Sequence, residues 1–351
     1  MLLTNDPVLK AIDSTVEAIR QRATANWILA FSGGKDSSAA LKIFLAAYKK
    51  ARISLASVTV IYCDTGVENP ILDAYVRGLF GKLNQELGGL SASFKTHVLK
   101  SPLHDRFFVK IIGRGYPPPT NNFRWCTTGL RIKPVSAFIA RHDPANTVVI
   151  LGLRAAESQQ RDRSLAKSAN LYWQKQREGK GDYDLFLPIV ELNVSEVWDA
   201  IFGLSTPTSL DPSTLETLYR GASGECPIIK SPQAPPCSSG RFGCWTCTVV
   251  RKDKSAKELI RAGHLELLPF LNFRDWLSEF RNNPSKRWEK RRSGNEGLGP
   301  FTLEARREIL KRVDDLEDLT RTQIISPDER GLIASLWNMD RFPRLSSKGA
   351  I

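Results

Sequence analysis

The chain has 351 residues, of which 42% are hydrophobic and 25% are charged, and this composition excludes a disordered or fibrous protein. Its apolar runs are shorter than a membrane span and its first residues lack the pattern of a secretory leader, so we expect a cytoplasmic protein. The 50 Lys and Arg exceed the 37 Asp and Glu, for a net charge of +13. This excess favours a polyanionic partner such as nucleic acid, although a basic surface can serve solubility alone.

Five short apolar runs that alternate with helical stretches predict the fold of the N-terminal part. A first helix is expected over 8–23, and strands over 27–31, 56–62, 94–99, 147–153 and 185–190. Further helices are expected over 37–49, from the Asn69-Pro70 pair onward, and over 103–112, 129–141 and 195–202. This alternation predicts an α/β fold with a doubly wound, mostly parallel, five-stranded sheet.

The alternation stops near Gly203, where the composition changes. Residues 205–243 are rich in Pro, Ser and Gly, which predicts a loop. Helices are expected beyond it, over 255–263, 268–280, 303–320 and 327–339. We therefore predict a first domain over residues 1–204 and a smaller region over 205–351, which contains the loop and a helical C-terminal part.

A glycine-rich hexapeptide follows the first predicted strand and precedes the next helix. Glycines at such a junction let the backbone approach a ligand, and the amides at a helix N-terminus attract an anion. The spacing differs from that of the Walker A loop, so hydrolysis of a γ-phosphate is not expected. The candidate phosphate-binding residues are Ser32, Gly33, Gly34, Lys35, Asp36 and Ser37.

The hexapeptide resembles the PP-loop of the N-type ATP pyrophosphatase superfamily, whose members cleave ATP between the α- and β-phosphates and adenylate a substrate oxygen. The resemblance implies that the loop binds pyrophosphate, that Lys35 and Asp36 are catalytic, and that Asp36 helps to hold Mg²⁺. Asp64 follows the second predicted strand, at the sheet edge where ligands bind in such folds. We expect it in the nucleotide pocket, the alternative being an aspartate that caps its turn.

A later segment resembles the PAPS reductase branch of this superfamily. Gly152, Arg154 and Glu157 fall at the fixed positions of the branch's Gly-x-Arg-x-x-Glu-Ser segment. The resemblance implies that Arg154 binds an anionic substrate, a task that suits the planar, bidentate guanidinium group. We therefore add these three residues to the candidate nucleotide site.

A segment around Cys126 also resembles that branch, but it carries one cysteine where the branch carries two. We expect Arg124, Arg131 and Lys133 to lower the pKa of Cys126 and so to favour a catalytic thiolate. The alternative is a structural thiol that packs beside Trp125.

Four of the six cysteines lie within 22 residues and end in a Cys-x-x-Cys pair. Four thiolates can hold Zn²⁺ or a [4Fe-4S] cluster, and the residues alone do not distinguish the two. Four free cysteines that lie together by chance are the other alternative. The candidate ligands are Cys226, Cys237, Cys244 and Cys247.

The residues from Arg241 to Val250 resemble a signature of the DndC family of DNA phosphorothioation proteins, and residues 298–302 are similar to that family as well. The resemblance implies a [4Fe-4S] cluster on the four cysteines, with Cys126 as a substitute ligand. It also implies three kinds of partner: DNA, a cysteine desulfurase as sulfur donor, and other phosphorothioation proteins of phage defence.

The combined expectation is an enzyme that uses ATP to activate DNA for sulfur insertion. A non-bridging phosphate oxygen attacks ATP, pyrophosphate leaves, and sulfur from a persulfide on Cys126 or from the cluster then displaces AMP. Three alternatives stay open: a reductase of adenylyl sulfate or PAPS, a transfer RNA thiolase, and a non-catalytic, metal-bearing DNA-binding module. Such reductases use a cysteine in a C-terminal tail, whereas the last cysteine here is Cys247.

Two basic runs with interleaved aromatic residues are candidate DNA contacts, although either run could be a solvated surface. The first contains Lys167, Lys175, Arg177 and Lys180 with Tyr172 and Trp173, and the second contains Arg281, Lys286, Arg287, Lys290, Arg291 and Arg292 with Trp288.

Overall fold

The computed structural model describes residues 6–91, 93–155, 171–176, 182–223, 242–291 and 293–341. These residues form two compact units. The first, called the sheet unit, combines the described residues of Met1–Cys63, Ile71–Leu99 and Val135–Phe242. The second, called the helical unit, combines those of Asp64–Pro70, Lys100–Pro134 and Gly243–Ile351. This division differs from the single boundary predicted after residue 204, because two short N-terminal segments belong with the C-terminal helices.

The described elements up to Ser223 follow the predicted alternation of strands and helices. In chain order they are α1 (Asp6–Gln21), β1 (Asn26–Phe31), α2 (Lys35–Ala51), β2 (Ser57–Asp64), α3 (Pro70–Leu90), β3 (Phe94–Lys100), α4 (Lys133–Ile139), β4 (Thr147–Leu151), β5 (Trp173–Gln176), β6 (Tyr183–Phe186), α5 (Val194–Gly203) and α6 (Pro212–Ser223).

The strands form one sheet in the order β3-β2-β1-β4-β6-β5. β1 pairs in parallel with β2 and β4, and β4 pairs in parallel with β6, so the predicted doubly wound, mostly parallel α/β fold is confirmed. The sheet has six described strands rather than the predicted five, because β5 pairs antiparallel with β6. The sequence of β5 is Trp-Gln-Lys-Gln. This edge strand is polar, so no apolar run predicts it.

β1 lies at the centre of the sheet, and its burial fixes the position of the loop that follows it. The strand is a nearly continuous apolar run because helices cover both faces of a parallel sheet. Trp27 is fully buried, and its ring packs 5.5 Å from that of Phe44 in α2 and edge-on to that of Phe186 in β6. The glycine-rich loop therefore starts from one of the best-packed strands of the unit.

The predicted loop over 205–243 contains a helix, α6, and this part of the prediction is wrong. The Asp211 carboxylate accepts hydrogen bonds from the backbone N–H of Thr214 and, at longer distance, of Ser213, and Pro212 occupies the first helical position. Hydrogen bonds from the Ser213 and Thr214 hydroxyls, together with these backbone contacts, lower the pKa of Asp211 to about 2. An aspartate followed by proline is a helix-start signal, but the proline-rich and serine-rich surroundings obscured it.

The helical unit contains short irregular helices followed by four regular ones. It includes a 3-10 turn (Leu103–Asp105), π-helices at Val109–Gly113 and Thr127–Ile132, and α7 (Lys254–Arg261), α8 (Leu268–Phe280), α9 (Leu303–Thr320) and α10 (Pro327–Arg341). The predicted limits of α8 and α9 are confirmed, whereas the helix predicted over 103–112 is divided between the 3-10 turn and the first π-helix. None of the helices within the described residues is long and apolar enough to cross a membrane.

Aromatic rings form the centre of the helical unit. The Trp245 ring lies 6.0 Å from that of Phe108 and 5.6 Å from that of Phe273 in α8. The ring of Trp245 therefore anchors the Cys-Trp-Thr-Cys segment in this core.

The side chain of Thr302 caps α9, because it accepts a hydrogen bond from the backbone N–H of Ala305.

A buried lysine in α2 predicts a pH-dependent stability. Lys42 is 1% exposed, donates to the carbonyl of Leu204 at 2.7 Å, and has Glu86 and Asp211 as acidic neighbours. Burial lowers its pKa from 10.5 to about 8 despite those two carboxylates. Between pH 8 and 10.5 the unfolded chain thus binds more protons at this group than the folded chain, so stability rises with pH across that window.

We expect the gain between about pH 7.5 and about pH 9.5 to be about 2 kcal/mol relative to a Lys42→Met variant, which lacks the titrating group. Urea unfolding of both proteins at about pH 7.5 and about pH 9.5 measures the difference. A difference in free energy of unfolding that stays constant with pH would contradict the assignment.

Candidate active site

The glycine-rich loop joins β1 to α2 in a conformation that requires glycine. At Gly33 the backbone has a φ of +77°, and a Cβ there would lie 2.3 Å from Cγ2 of Val76. The backbone N–H of Ser32 donates to Oγ of Ser37 at 3.2 Å, and the Ser37 hydroxyl donates to the Gly34 carbonyl at 2.9 Å. The N-cap residue Gly34 has no side chain to cap α2, so the helix N-terminus can receive an anion.

Two cations hold one carboxylate at this helix N-terminus. The Asp36 carboxylate accepts from Lys35 Nζ at 2.9 Å and from Arg154 Nε at 2.7 Å. The side chains of Lys35 and Arg154 are only 10% and 8% exposed. The three side chains carry a net charge of +1, which suits a phosphate group. A carboxylate has about four lone-pair sites, so Asp36 keeps the capacity to bind Mg²⁺ as well.

Gly152 allows the end of β4 to pack directly against the loop. A Cβ on Gly152 would lie 2.7 Å from the carbonyl carbon and oxygen of Asp36 and 2.8 Å from the backbone nitrogen of Ser37. Two residues later, Arg154 reaches Asp36. The structure therefore brings the predicted loop residues together with Gly152 and Arg154, whereas Glu157 lies outside the described residues.

Tyr219 of α6 also belongs to this site, and the sequence analysis missed it. Its hydroxyl oxygen accepts a hydrogen bond from the backbone N–H of Lys35 at 3.0 Å, and Lys35 Nζ lies 5.5 Å from the ring centroid. Burial raises the pKa of Tyr219, so the phenol is neutral at physiological pH. The ring packs edge-on against Trp198 and Phe242. Recognition of α6 from its capping signal would have been the route to this residue.

A Tyr219→Phe variant is expected to lose about 1 to 2 kcal/mol of unfolding free energy, because the buried N–H of Lys35 then lacks its acceptor. Tyr48→Phe is the matched control: the Tyr48 ring packs 4.8 Å from Phe94, and its hydroxyl forms no hydrogen bond within the described residues. Chemical unfolding of both variants provides the measurement. Equal effects of the two substitutions would show that the Tyr219 hydroxyl does not support the loop.

Asp64 is the last residue of β2 and the first residue of the helical unit. Its Oδ1 accepts from the backbone N–H of Gly66 at 2.8 Å, and its Oδ2 lies 3.9 Å from Lys100 Nζ. The carboxylate therefore caps its turn, which was the alternative considered for this residue. Its role in a nucleotide pocket stays a prediction.

The helical unit places a thiol beside a charged pair. The segment of Cys244 bridges to that of Glu68, whose carboxylate accepts from Thr65 Oγ1 at 2.9 Å and from Arg131 at 3.4 Å. Cys244 Sγ lies 3.8 Å from both Thr65 Oγ1 and Arg131 Nη2. Burial, with the Glu68 charge, raises the pKa of Cys244 to about 12. The backbone N–H of Cys247 donates to the carbonyl of Cys244 at 3.0 Å, which closes the Cys-x-x-Cys turn.

The expected lowering of the Cys126 pKa is wrong. Burial raises this pKa, because Cys126 packs against the aromatic core beside Trp125. The three nearby cations serve other acceptors: Arg124 donates to Asn121, Arg131 to Glu68 and Lys133 to Asp105.

Only part of the predicted metal site lies within the described residues. Cys126, Cys244 and Cys247 are free thiols there, whereas Cys226 and Cys237 lie outside. Within the described part of the chain, no three His, Cys, Asp or Glu side chains form a group that could hold a metal ion. The thiols of Cys244 and Cys247 fit the soft donors that zinc or an iron–sulfur cluster prefers. The [4Fe-4S] assignment therefore stays a prediction.

Each of the two basic runs contains a lysine that pairs with a carboxylate of the protein. Lys175 pairs with Asp184 at 2.7 Å, and Trp173 packs 4.9 Å from Phe186, so these members support the sheet. Lys286 pairs with Glu308 at 2.6 Å. Lys167, Arg177, Lys180 and Arg292 lie outside the described residues.

Comparison with known proteins gives one family and several distant structural neighbours. The model of the phosphoadenosine phosphosulfate reductase domain matches residues 26–250. An uncharacterised Methanocaldococcus jannaschii protein, MJ0066, is 25% identical over 187 residues; the match covers 53% of this chain but only 32% of that protein.

Three solved structures that resemble the chain have TM-scores of 0.40 or below. FMN adenylyltransferase of Candida glabrata, in complex with FMN and an ATP analogue, has a TM-score of 0.40 at 12% identity and 90% and 86% coverage of the two chains. PAPS reductase of Candida auris has a TM-score of 0.34 at 13% identity, with coverage of 59% of this chain and 90% of that chain. NAD⁺ synthetase of Burkholderia pseudomallei has a TM-score of 0.35 at 18% identity, with coverage of 59% of this chain and 77% of that chain. The family model alone spans more than half of the chain, and the chain belongs to the phosphoadenosine phosphosulfate reductase domain family.

Proposed function

We propose that the protein is an ATP pyrophosphatase that transfers adenylate from ATP to a non-bridging oxygen of a DNA backbone phosphate, so that sulfur can replace that oxygen. The observation that carries the proposal is the N-terminus of α2, whose N-cap residue is a glycine and where Lys35 and Arg154 surround Asp36. Positive charge that is already in place stabilises the charge that develops on departing pyrophosphate. The resemblance of the Cys-Trp-Thr-Cys segment and the +13 net charge support DNA as the acceptor.

In the adenylation step the chain's own residues bind and orient ATP. The loop amides and Lys35 receive the β- and γ-phosphates, and Arg154 neutralises charge while it keeps Asp36 in position. The DNA phosphate oxygen forms a bond to the α-phosphorus of ATP, and the bond from that phosphorus to pyrophosphate breaks. Mg²⁺, when bound, would neutralise phosphate charge, and Asp36 is the residue that would help to hold it.

In the sulfur step AMP is the leaving group. The terminal sulfur of a persulfide attacks the DNA phosphorus, AMP leaves with the former phosphate oxygen, and a second thiol then cleaves the S–S bond to release the phosphorothioate. Cys126 is the candidate persulfide carrier, and a cysteine desulfurase is the expected donor. Cys226, Cys237, Cys244 and Cys247 would hold a [4Fe-4S] cluster, with Cys126 as a substitute ligand, and the cluster would supply a site for sulfide.

The family match favours a second candidate, reductive cleavage of adenylyl sulfate or PAPS. The same cationic loop would then bind the nucleotide phosphates, and sulfite rather than AMP-DNA would form. We propose the DNA reaction because the segment from Arg241 to Val250 resembles the signature of the DndC family. We place the reaction in the cytoplasm, where free thiols persist, and with other phosphorothioation proteins in phage defence.

Transfer of label from ATP distinguishes these candidates. Protein purified without oxygen is incubated with ATP labelled at the α-phosphate and with DNA, transfer RNA or adenylyl sulfate, without a sulfur donor. We expect label to accumulate on DNA as a phosphoanhydride-linked adenylate that a sulfur donor then releases as AMP. Label on transfer RNA would favour the thiolase, and release of sulfite from adenylyl sulfate in the presence of a dithiol reductant would favour the reductase.

A further inference from the structure

The helical unit contains a pocket that the proposed ATP chemistry does not use. Its volume is about 630 Å³, within the range typical of small-molecule and nucleotide sites. One wall is the segment from Tyr116 to Phe123. The other is a hairpin-like segment in which Arg287 bridges to Phe301 and Lys290 bridges to Glu296. The wall includes residues 298–300, part of the second segment that the sequence analysis singled out.

Two arginines, the buried Arg287 and the half-buried Arg281, give this pocket a positive floor. The Arg287 guanidinium donates to the carbonyls of Arg281, Leu298 and Gly299. The Arg281 guanidinium donates to the Pro119 carbonyl at 2.8 Å. Within the described residues neither arginine pairs with a carboxylate. Burial and the neighbouring Arg281 lower the pKa of Arg287 to about 10, so both charges persist at neutral pH and a bound anion would relieve their repulsion.

The mouth of the pocket adds a third cation. Arg291 is exposed, and its guanidinium lies 3.2 Å from the position that a Cβ on Gly297 would occupy. The backbone N–H of Arg291 donates to the Asn295 carbonyl at 2.9 Å, so the turn holds the residue at the pocket edge. Its side chain has no hydrogen bond or ion pair within the described ranges. A guanidinium in this position can bind a phosphate directly.

Aromatic faces stand opposite these cations. The rings of Tyr116 and Phe123 are stacked, 6.2 Å apart at an interplanar angle of 12°. Phe123 is 43% exposed and Leu298, which lines the same pocket, is 42% exposed, so apolar surface is available to a ligand there. Stacking on aromatic rings together with cations that follow the backbone is the way proteins bind single-stranded nucleic acid.

We propose that this pocket binds one nucleotide of a single DNA strand, with its phosphate at Arg291 above the Arg281–Arg287 floor and its base against Phe123 and Tyr116. The choice of DNA rests on the proposed function, whereas the nucleotide chemistry rests on the pocket alone. A free nucleotide offers the same two groups, so the test includes one.

The test is the binding of a fluorescent oligothymidylate of about 12 nucleotides, without ATP, over about 50 to 200 mM salt. Phe123→Ala is expected to weaken binding at least about five-fold with an unchanged salt dependence, because it removes stacking. Arg291→Ala is expected to weaken binding and to reduce the slope of log affinity against log salt by about 0.7, because it removes one phosphate contact. Both residues are exposed, so folding is expected to survive.

Exposed residues of α9 provide matched controls. Leu319→Ala removes an apolar side chain that is 70% exposed, and Lys311→Ala removes a cation outside the pocket; both should bind within about two-fold of the unaltered protein. Binding that neither pocket substitution changes would overturn the pocket while leaving the proposed function intact. ATP cleavage without any binding of the strand would overturn the pocket, whereas label transfer from ATP tests DNA as the acceptor separately. Competition by thymidine monophosphate as strong as by the strand would overturn the assignment to DNA.

Discussion

Replacement of Gly152 by alanine is expected to reduce AMP formation from ATP by about 100-fold or more. The new Cβ would lie 2.7 Å from backbone atoms of Asp36, which cannot move aside as a flexible side chain could. The start of α2 must therefore shift, and a displacement of about 1 Å at a reacting centre can cost about 100-fold in rate. Steady-state assays at saturating ATP, together with the affinity for pyrophosphate, measure the effect.

Gly78→Ala is the matched control for this substitution. Gly78 lies in α3, and no atom lies within 4 Å of the position that its Cβ would occupy. Alanine there should stabilise the helix by up to about 1 kcal/mol and leave activity unchanged. Unchanged activity in Gly152→Ala would show that the close packing of β4 against the loop is not needed for the reaction.

Replacement of Asp36 by asparagine is expected to separate anion binding from metal-dependent chemistry. The substitution leaves Lys35 and Arg154 without their carboxylate, so the free energy of unfolding should fall by roughly 2 to 3 kcal/mol, somewhat less than for a fully buried pair. Pyrophosphate added without Mg²⁺ should bind at least as tightly as before and restore much of that stability. ATP cleavage with Mg²⁺ should fall by about 100-fold.

An exposed ion pair provides the control for Asp36→Asn. Asp13 pairs with Lys50 in the same unit, and the two side chains are 60% and 55% exposed. Asp13→Asn should change the free energy of unfolding by less than about 1 kcal/mol and leave activity unaltered. Loss of pyrophosphate binding in Asp36→Asn would contradict the view that Lys35 and Arg154 provide the anion site.

The predictable part of the fold is the part built on apolar periodicity. β1 is buried on both faces, and α8 and α9 place their apolar residues on one side, so their limits follow from sequence. β5 is polar and was missed. The apolar run at 185–190 predicted a strand that continues beyond Phe186, the last residue of β6. Leu187 and Val190 are buried, but they lie in a turn. An apolar run therefore predicts that its residues are buried. It predicts a strand only where a neighbouring strand continues alongside it.

The residues of the candidate site were predictable where they belong to one short segment of the sequence. The hexapeptide contains the loop and its helix start, and the spacing of Gly152 and Arg154 follows from one strand end. Tyr219 was not predictable in this way, because it reaches Lys35 from α6, 184 residues away along the chain. The predicted lowering of the Cys126 pKa was wrong for a related reason. Three cations lie close to Cys126 in the sequence, but each of them donates to another acceptor.

The most direct test of the central claim is the product analysis of ATP cleavage. Protein purified without oxygen is supplied with ATP and Mg²⁺, with and without DNA, beside an Asp36→Ala variant. We expect DNA to speed the release of pyrophosphate, an equal amount of adenylate to remain on DNA until a sulfur donor releases it as AMP, and the variant to form neither product. Formation of ADP and phosphate would contradict this claim, and no cleavage even with DNA and a sulfur donor present would favour a non-catalytic, metal-bearing DNA-binding module.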